Sequence, residues 1–219
     1  MRIPAFALLA APLLLLACGG DDTGGETSGN GTTTGAGGGT TTGEGGSGSG
    51  GSGSGGGGPS TLFPLAVGYA WTYDVASVGA GSVCATGQHT STVIGTGPLA
   101  GKDAFEVSSW CTGAGGSNQY ALGEGDLVYF YYSGDWLNVL DVPVEEGHTW
   151  SYFNTSFTWR NAGTVTVPAG TFDDCWTAEQ NVSYSAYSTY CRGVGLTRSY
   201  SEDLNGDGWD AQLASTTGL

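Results

Sequence analysis

The feature that most constrains the fold is an internal repeat. Pro64-Leu-Ala-Val-Gly68-Tyr-Ala-Trp71-Thr-Tyr73 matches Pro143-Val-Glu-Glu-Gly147-His-Thr-Trp150-Ser-Tyr152, with Pro, Gly, Trp and Tyr at identical spacing. Ala100-Gly101 resembles Ala169-Gly170. Tyr120-Ala-Leu-Gly123-Glu-Gly125 matches Tyr190-Cys-Arg-Gly193-Val-Gly195. Three matches in the same order imply two copies of one supersecondary plan, residues 62–140 and 141–219. The fold must therefore accommodate that plan twice.

Each copy reads as strands. Trp, Tyr, Val and Thr are abundant, and Gly, Pro, Asn and Asp punctuate them. Thr164-Val-Thr-Val167 alternates, which predicts one buried and one wet face. Leu127 to Tyr132 is apolar on both parities, which predicts a central strand covered on both sides. No stretch of the head sustains a helical apolar period. The expected fold is all-β and antiparallel, a strongly curved sheet or open barrel of about ten strands built from two similar halves. Trp71 and Trp150 could form an aromatic platform or fill the core. Duplication favours the core, because a fold element must recur while a site need not.

Only residues 61–219 have the composition to fold, and a domain of that size can bury its own core. The segment 18–60 is dominated by Gly, Thr and Ser and carries no aromatic residue. Such a chain cannot offset its ordering entropy, so a tether is expected, with a root-mean-square span of ~35 Å. The formal net charge is −15, and the only basic residues are Arg2, Lys102, Arg160, Arg192 and Arg198. Nucleic-acid binding needs clustered cations to displace counterions, so that partner class is excluded. The acidity favours solubility and, secondarily, cations.

Met1-Arg2 followed by the uncharged run from Ile3 to Leu16 is too short to span a bilayer and fits a signal peptide, residues 1–17. The run ends in Leu15-Leu16-Ala17-Cys18, which resembles the lipobox of bacterial lipoproteins. The resemblance implies cleavage before Cys18, acylation of Cys18 and a membrane reached through that lipid anchor. Two acyl chains suffice for stable anchoring. Gly19, rather than Asp, follows the cysteine. In lipoproteins of Gram-negative bacteria this implies outer-membrane rather than inner-membrane sorting. Thr164-Val-Thr-Val-Pro-Ala-Gly-Thr-Phe172 with Gly193-Val-Gly-Leu196 resembles a pattern of uncharacterised secreted bacterial domains. That resemblance implies an all-β fold and carries no catalytic residues.

Four cysteines remain in the head: Cys84, Cys111, Cys175 and Cys191. An even count in an exported domain implies two disulfides. Residues facing each other across a hairpin are equidistant from its turn. The midpoint of Cys84 and Cys111 falls between Gly97 and Pro98, and that of Cys175 and Cys191 at Ser183. The expected pairs are therefore Cys84–Cys111 and Cys175–Cys191.

Asp203-Leu-Asn205-Gly-Asp207-Gly208 resembles the first half of an EF-hand calcium loop, with oxygens at positions 1, 3 and 5 and Gly at 6. Position 12 is Ala214 and position 9 is Ala211, so the second half departs from the pattern. Two readings stand: weak calcium binding by Asp203, Asn205 and Asp207 with help from Asp210, or a polar hairpin turn. No other cofactor is expected. His89 and His148 lie in no catalytic motif, and no nucleophile elbow occurs. The expectation is a monomeric, non-enzymatic lipoprotein head that binds or structures envelope or surface material. Alternatives are a carrier of lipid or another hydrophobic ligand, which requires a concave apolar cavity, and a glycan-binding module, which requires exposed coplanar aromatic rings.

Overall fold

The computed structural model describes residues 60–111 and 116–219. The leader, Cys18 and the tether up to residue 59 lie outside the described residues.

The described chain is all-β. Twelve strands follow in order: β1 (Ala70–Val78), β2 (Gly87–Leu99), β3 (Lys102–Ser108), β4 (Ser117–Leu122), β5 (Val128–Tyr132), β6 (Asp135–Leu140), β7 (Thr149–Tyr152), β8 (Thr155–Val167), β9 (Gly170–Gln180), β10 (Ser185–Cys191), β11 (Gly195–Glu202) and β12 (Gly208–Thr217). Every pairing is antiparallel, and the spatial order is β6-β5-β4-β3-β2-β1-β12-β11-β10-β9-β8-β7. The sheet is thus a nearly closed barrel. The first and last strands pair with each other, and the seam lies between β6 and β7, where one copy passes into the next. Twelve strands replace the expected ten because short strands such as β6 and β7 escape a reading based on apolar runs.

The matching sequence stretches take corresponding places. Trp71 is the second residue of β1 and Trp150 the second of β7; both are buried, as a recurring fold element requires. The backbones preceding them make the same pair of bonds. Gly68 N donates to Val93 O and Val93 N to Tyr69 O, while Gly147 N donates to Trp159 O and Trp159 N to His148 O. The smallest match shifts by one residue. Ala100-Gly101 is the whole turn between β2 and β3, with both residues at positive φ. Ala169 is the second turn residue between β8 and β9, and Gly170 already pairs with Val167.

Alternation of side chains builds the core. Trp71, Tyr73 and Val75 point inward from β1, with Thr72, Asp74 and Ala76 between them. On the neighbouring strand the buried Leu213 and Ala211 lie opposite Tyr73 and Val75, and the buried Trp209 follows two residues on, opposite Ser77. This is the period of two that a pleated strand imposes. Thr164 to Val167 alternates as expected. The stretch Leu127 to Tyr132, read as a central strand, forms β5 from Val128 and lies instead one strand from the seam. After Val128 its residues are only half-buried, because no strand beyond β6 completes the cover. β2 and β8 are the longest strands, and both carry bulges, at Val93/Gly95 and between Asn161 and Val165. Bulges bend strands and raise twist, which closure of a barrel needs.

The seam is short and filled by rings. β6 has six residues and β7 four, so little unpaired edge is presented. Phe130 and Tyr152 lie 6.2 Å apart, and Tyr132 meets Phe153 at 4.8 Å, linking strands on opposite sides of the gap.

Candidate functional site at the loop end of the barrel

An antiparallel meander places alternate connections at opposite ends. One end receives the chain. There Gly193 N donates to Thr61 O (2.9 Å), Leu62 N donates to Asp126 Oδ1 (2.8 Å), and Arg192 donates to Ser60 O (3.0 Å) and to Asp126. Leu62 is fully buried, and Phe63 packs against Trp71, Tyr120 and Tyr190. The entering segment therefore plugs the barrel. The interior that remains is a cavity of about 40 Å³ lined by Phe63, Trp71, Tyr73, Tyr120, Tyr190 and neighbouring residues. A pocket for a drug-sized ligand takes roughly 300–1,000 Å³. Among the described residues this cavity is far below that size. Burial raises the pKa of the Tyr73 and Tyr120 hydroxyls well above the ordinary value and pushes Tyr190 up to about 12.

The other end carries the connections β1–β2, β3–β4, β5–β6, β7–β8, β9–β10 and β11–β12. Here the duplication breaks. The second copy turns from β7 to β8 in Phe153-Asn154, whereas the first copy uses residues 79–86 between β1 and β2. The first copy turns from β5 to β6 in Ser133-Gly134, whereas the second uses residues 203–207 between β11 and β12. Because β1 pairs with β12, with Val78 opposite Gly208, the two long loops are neighbours.

They are also docked. Gly81 N donates to Asp207 Oδ1 at 2.9 Å. A Cβ on Gly79 would lie 2.1 Å from Asp207 Oδ1, and one on Gly81 would lie 2.4 Å from Asp207 Oδ2. Only glycine admits this approach. Ser77 Oγ donates to Cys84 O (2.7 Å), and the disulfide Cys84–Cys111 ties the β1–β2 loop to the end of β3. Beneath the loops lies a pocket of about 200 Å³ lined by Val83, Tyr184, Ser201, Asp203, Asp207 and Trp209, with Gly81, Ser82 and Gly208 completing the wall. Val83 and Leu204 beside it are exposed.

The Asp203–Asp207 segment forms the β11–β12 turn. Asp203 Oδ1 accepts the backbone N–H of Asn205 (2.7 Å) and of Asp207 (3.0 Å), and Asn205 Nδ2 reaches Asp203 Oδ2 at 3.3 Å. These donors, the Asp207 N–H foremost, hold the Asp203 carboxyl below its ordinary pKa. Asp207 turns to Gly81, and Asp210 is gripped by Arg198 (2.9 Å to each oxygen). Among the described residues no group of three or more His, Cys, Asp or Glu is placed to hold a metal ion. Burial foremost, and then the Asp203 carboxylate, raises the pKa of Tyr184.

The second disulfide joins Cys175 and Cys191, which face each other in the β9–β10 ladder. The hairpin construction applies to that pair. It does not describe Cys84–Cys111. The β2–β3 turn is Ala100-Gly101, not Gly97-Pro98, and both cysteines lie beyond the ladder. They meet because their two loops share an end of the barrel.

The remaining candidates are separate. His148 stacks on Trp150 and lies 3.2 Å from Asp141 Oδ2, whereas His89 bonds Ala85 O at 2.8 Å. Tyr187 and Tyr200 are stacked, with centroids 5.3 Å apart, and Arg198 covers Tyr187. The pocket between the long loops was missed by sequence reasoning. Its signal was present, since Trp71 stands further from Ala100 than Trp150 does from Ala169.

No family model and no curated protein matches the chain. Among solved structures, the chain is similar to a Bacteroides fragilis protein described as exported with a YmcC-like fold, at 14% identity and a TM-score of 0.46. It is also similar to a protein of Parabacteroides distasonis described as a lipoprotein, at 14% identity and a TM-score of 0.42. Each likeness covers 71% of this chain and 98% of the other.

Proposed function

We propose that the chain is a lipid-anchored, non-enzymatic binding head of the bacterial cell envelope, attached through Cys18 and presenting the loop end of its barrel to a partner. The anchor rests on Leu15-Leu16-Ala17-Cys18 and the apolar run before it. One observation supports the binding reading over the carrier reading: among the described residues Leu62 and Phe63 plug the barrel, and the cavity beside Phe63, Trp71 and Tyr120 holds about 40 Å³. Contact with a ligand is then made on the outside. The end opposite the entry of the chain is where the two copies differ and where the loops are held by a disulfide.

Two measurements on the full-length chain expressed in a bacterium test this. Radiolabelled palmitate should be incorporated and lost in Cys18→Ser, and native mass spectrometry should find no lipid bound non-covalently. A stoichiometric extractable lipid would restore the carrier reading. Unlabelled, freely soluble protein would remove the anchor.

A further inference from the structure

We propose that the pocket between the β1–β2 and β11–β12 loops binds an alkylammonium group, as carried by a lysine side chain of a polypeptide or by a free linear amine. The inference deepens the binding reading given above and rests on it.

Three observations meet at this pocket. First, it is built from the parts that do not recur between the two copies. Both long loops are needed to form it, and Gly79 and Gly81 are kept without side chains so that Asp207 can reach across. A fold that merely needed closure had a two-residue solution available, since Phe153-Asn154 and Ser133-Gly134 use it. Second, the size suits a side chain. About 200 Å³ is below the range of drug-sized sites and well above a single water. Third, the chemistry is one-signed. Asp203 and Asp207 supply two carboxylates, Tyr184 and Trp209 supply aromatic surface, Val83 is apolar, and no lining residue is basic. Aromatic faces and carboxylates together attract an organic cation on an apolar stem.

No cation of the described residues is free to fill this role. Lys102 lies 3.8 Å above the Tyr129 ring, and Arg160 is bonded to Glu146 and Glu179. Arg192 is bonded to Asp126 and Asp174, and Arg198 to Asp210. A metal ion is the poorer match, because only two carboxylates line the pocket and, among the described residues, no group of three or more His, Cys, Asp or Glu is placed to hold one.

Isothermal titration of the full-length chain in detergent tests the assignment with three probes. These are 1,5-diaminopentane, an end-blocked Gly-Lys-Gly peptide, and the same peptide with norleucine in place of lysine. The expected result is saturable binding of an amine probe and none of the norleucine peptide. Binding should weaken several-fold between about 20 and about 500 mM salt. It should weaken about tenfold in Asp203→Asn, which keeps an oxygen for the loop amides. Whichever amine binds more tightly identifies the source. Ser201→Lys, which puts the chain's own ammonium at the pocket, should abolish binding and guards against a misfolded first variant. Three results would overturn the proposal: no amine binding, equal binding of the norleucine peptide, or undiminished binding in both folded variants. Displacement of the amine by micromolar calcium would also overturn it in favour of a metal site. If palmitate labelling and the absence of bound lipid hold while the titration is silent, only the ligand assignment falls.

Discussion

The indole Nε1 of Trp71 donates to the carbonyl of Val194 at 2.6 Å, tying the first strand of one half to the β10–β11 turn of the other. Its repeat partner has no such tie. Trp150 occupies the matching position, but its buried Nε1 finds no acceptor. The difference follows from the barrel's closure. β1 meets the opposite half through a hydrogen-bonded ladder with β12, whereas β7 faces β6 across the seam.

Removal of the two indole N–H groups should therefore have unequal effects. Trp71→Phe leaves the Val194 carbonyl without its donor and should cost roughly 1–3 kcal/mol for that group, beyond the loss of ring volume. Trp150→Phe removes an unpaired donor and should show only the volume effect. Chemical denaturation of both variants measures the difference. Equal losses would mean that the Trp71 bond contributes nothing.

Gly195 is needed at this contact for two reasons. Its φ is +99°, and a Cβ there would lie 2.9 Å from Trp71 Nε1. The matching Gly125 also has positive φ, but a Cβ there would meet nothing nearer than Val142 Cγ1 at 3.9 Å. Gly195→Ala should lower the melting temperature clearly more than Gly125→Ala, since both carry the backbone strain of about 1 kcal/mol or more but only one adds a clash.

The entering segment should act as a structural plug. Asp126 accepts from Leu62 N and is bonded to Arg192, so Asp126→Ala should cost about 2 kcal/mol, the scale of hydrogen bonds to a charged group. Hydrogen exchange at the Leu62 amide should accelerate, and protease should cut near residues 60–65. Unchanged protection would show that burial of Leu62 and Phe63 holds the segment unaided.

Two pH responses follow from the shifted groups. The Asp203 carboxyl is held below its ordinary pKa by backbone donors. Its contribution is present above the unfolded value and is lost as pH falls through the folded one. Asp203→Ala should thus melt lower than the parent at neutral pH, with the gap closing in acid. Tyr73, Tyr120 and Tyr190 have raised pKa values, so their contribution is full below the unfolded value near 10. It is lost as pH rises through the folded values. Ultraviolet titration should show part of the tyrosine signal appearing early, and the remainder only as the barrel unfolds.

The disulfides should differ in what they hold. Cys175→Ala with Cys191→Ala removes a link across paired strands and should cost ~3 kcal/mol in the chain-entropy model. Loss of Cys84–Cys111 should, in addition, loosen residues 79–86 and the pocket beneath them, visible as faster amide exchange at Gly81.

The sequence by itself determined the local and periodic properties. Strand-forming residues, alternation in Thr164 to Val167 and the duplicated Trp71 and Trp150 were legible because pleating and repetition act at short range. The Cys175–Cys191 pair was legible for the same reason, since a hairpin fixes its own register. Tertiary structure decided which ends of the strands meet. It paired β1 with β12, left the seam beside β5 and β6, and so made Val128 to Tyr132 a half-covered strand. It sent Leu62 and Phe63 into the barrel and brought residues 79–86 against Asp207. The contacts of Gly81 with Asp207 and of Thr61 with Gly193 join residues more than a hundred positions apart, and no local pattern encodes them.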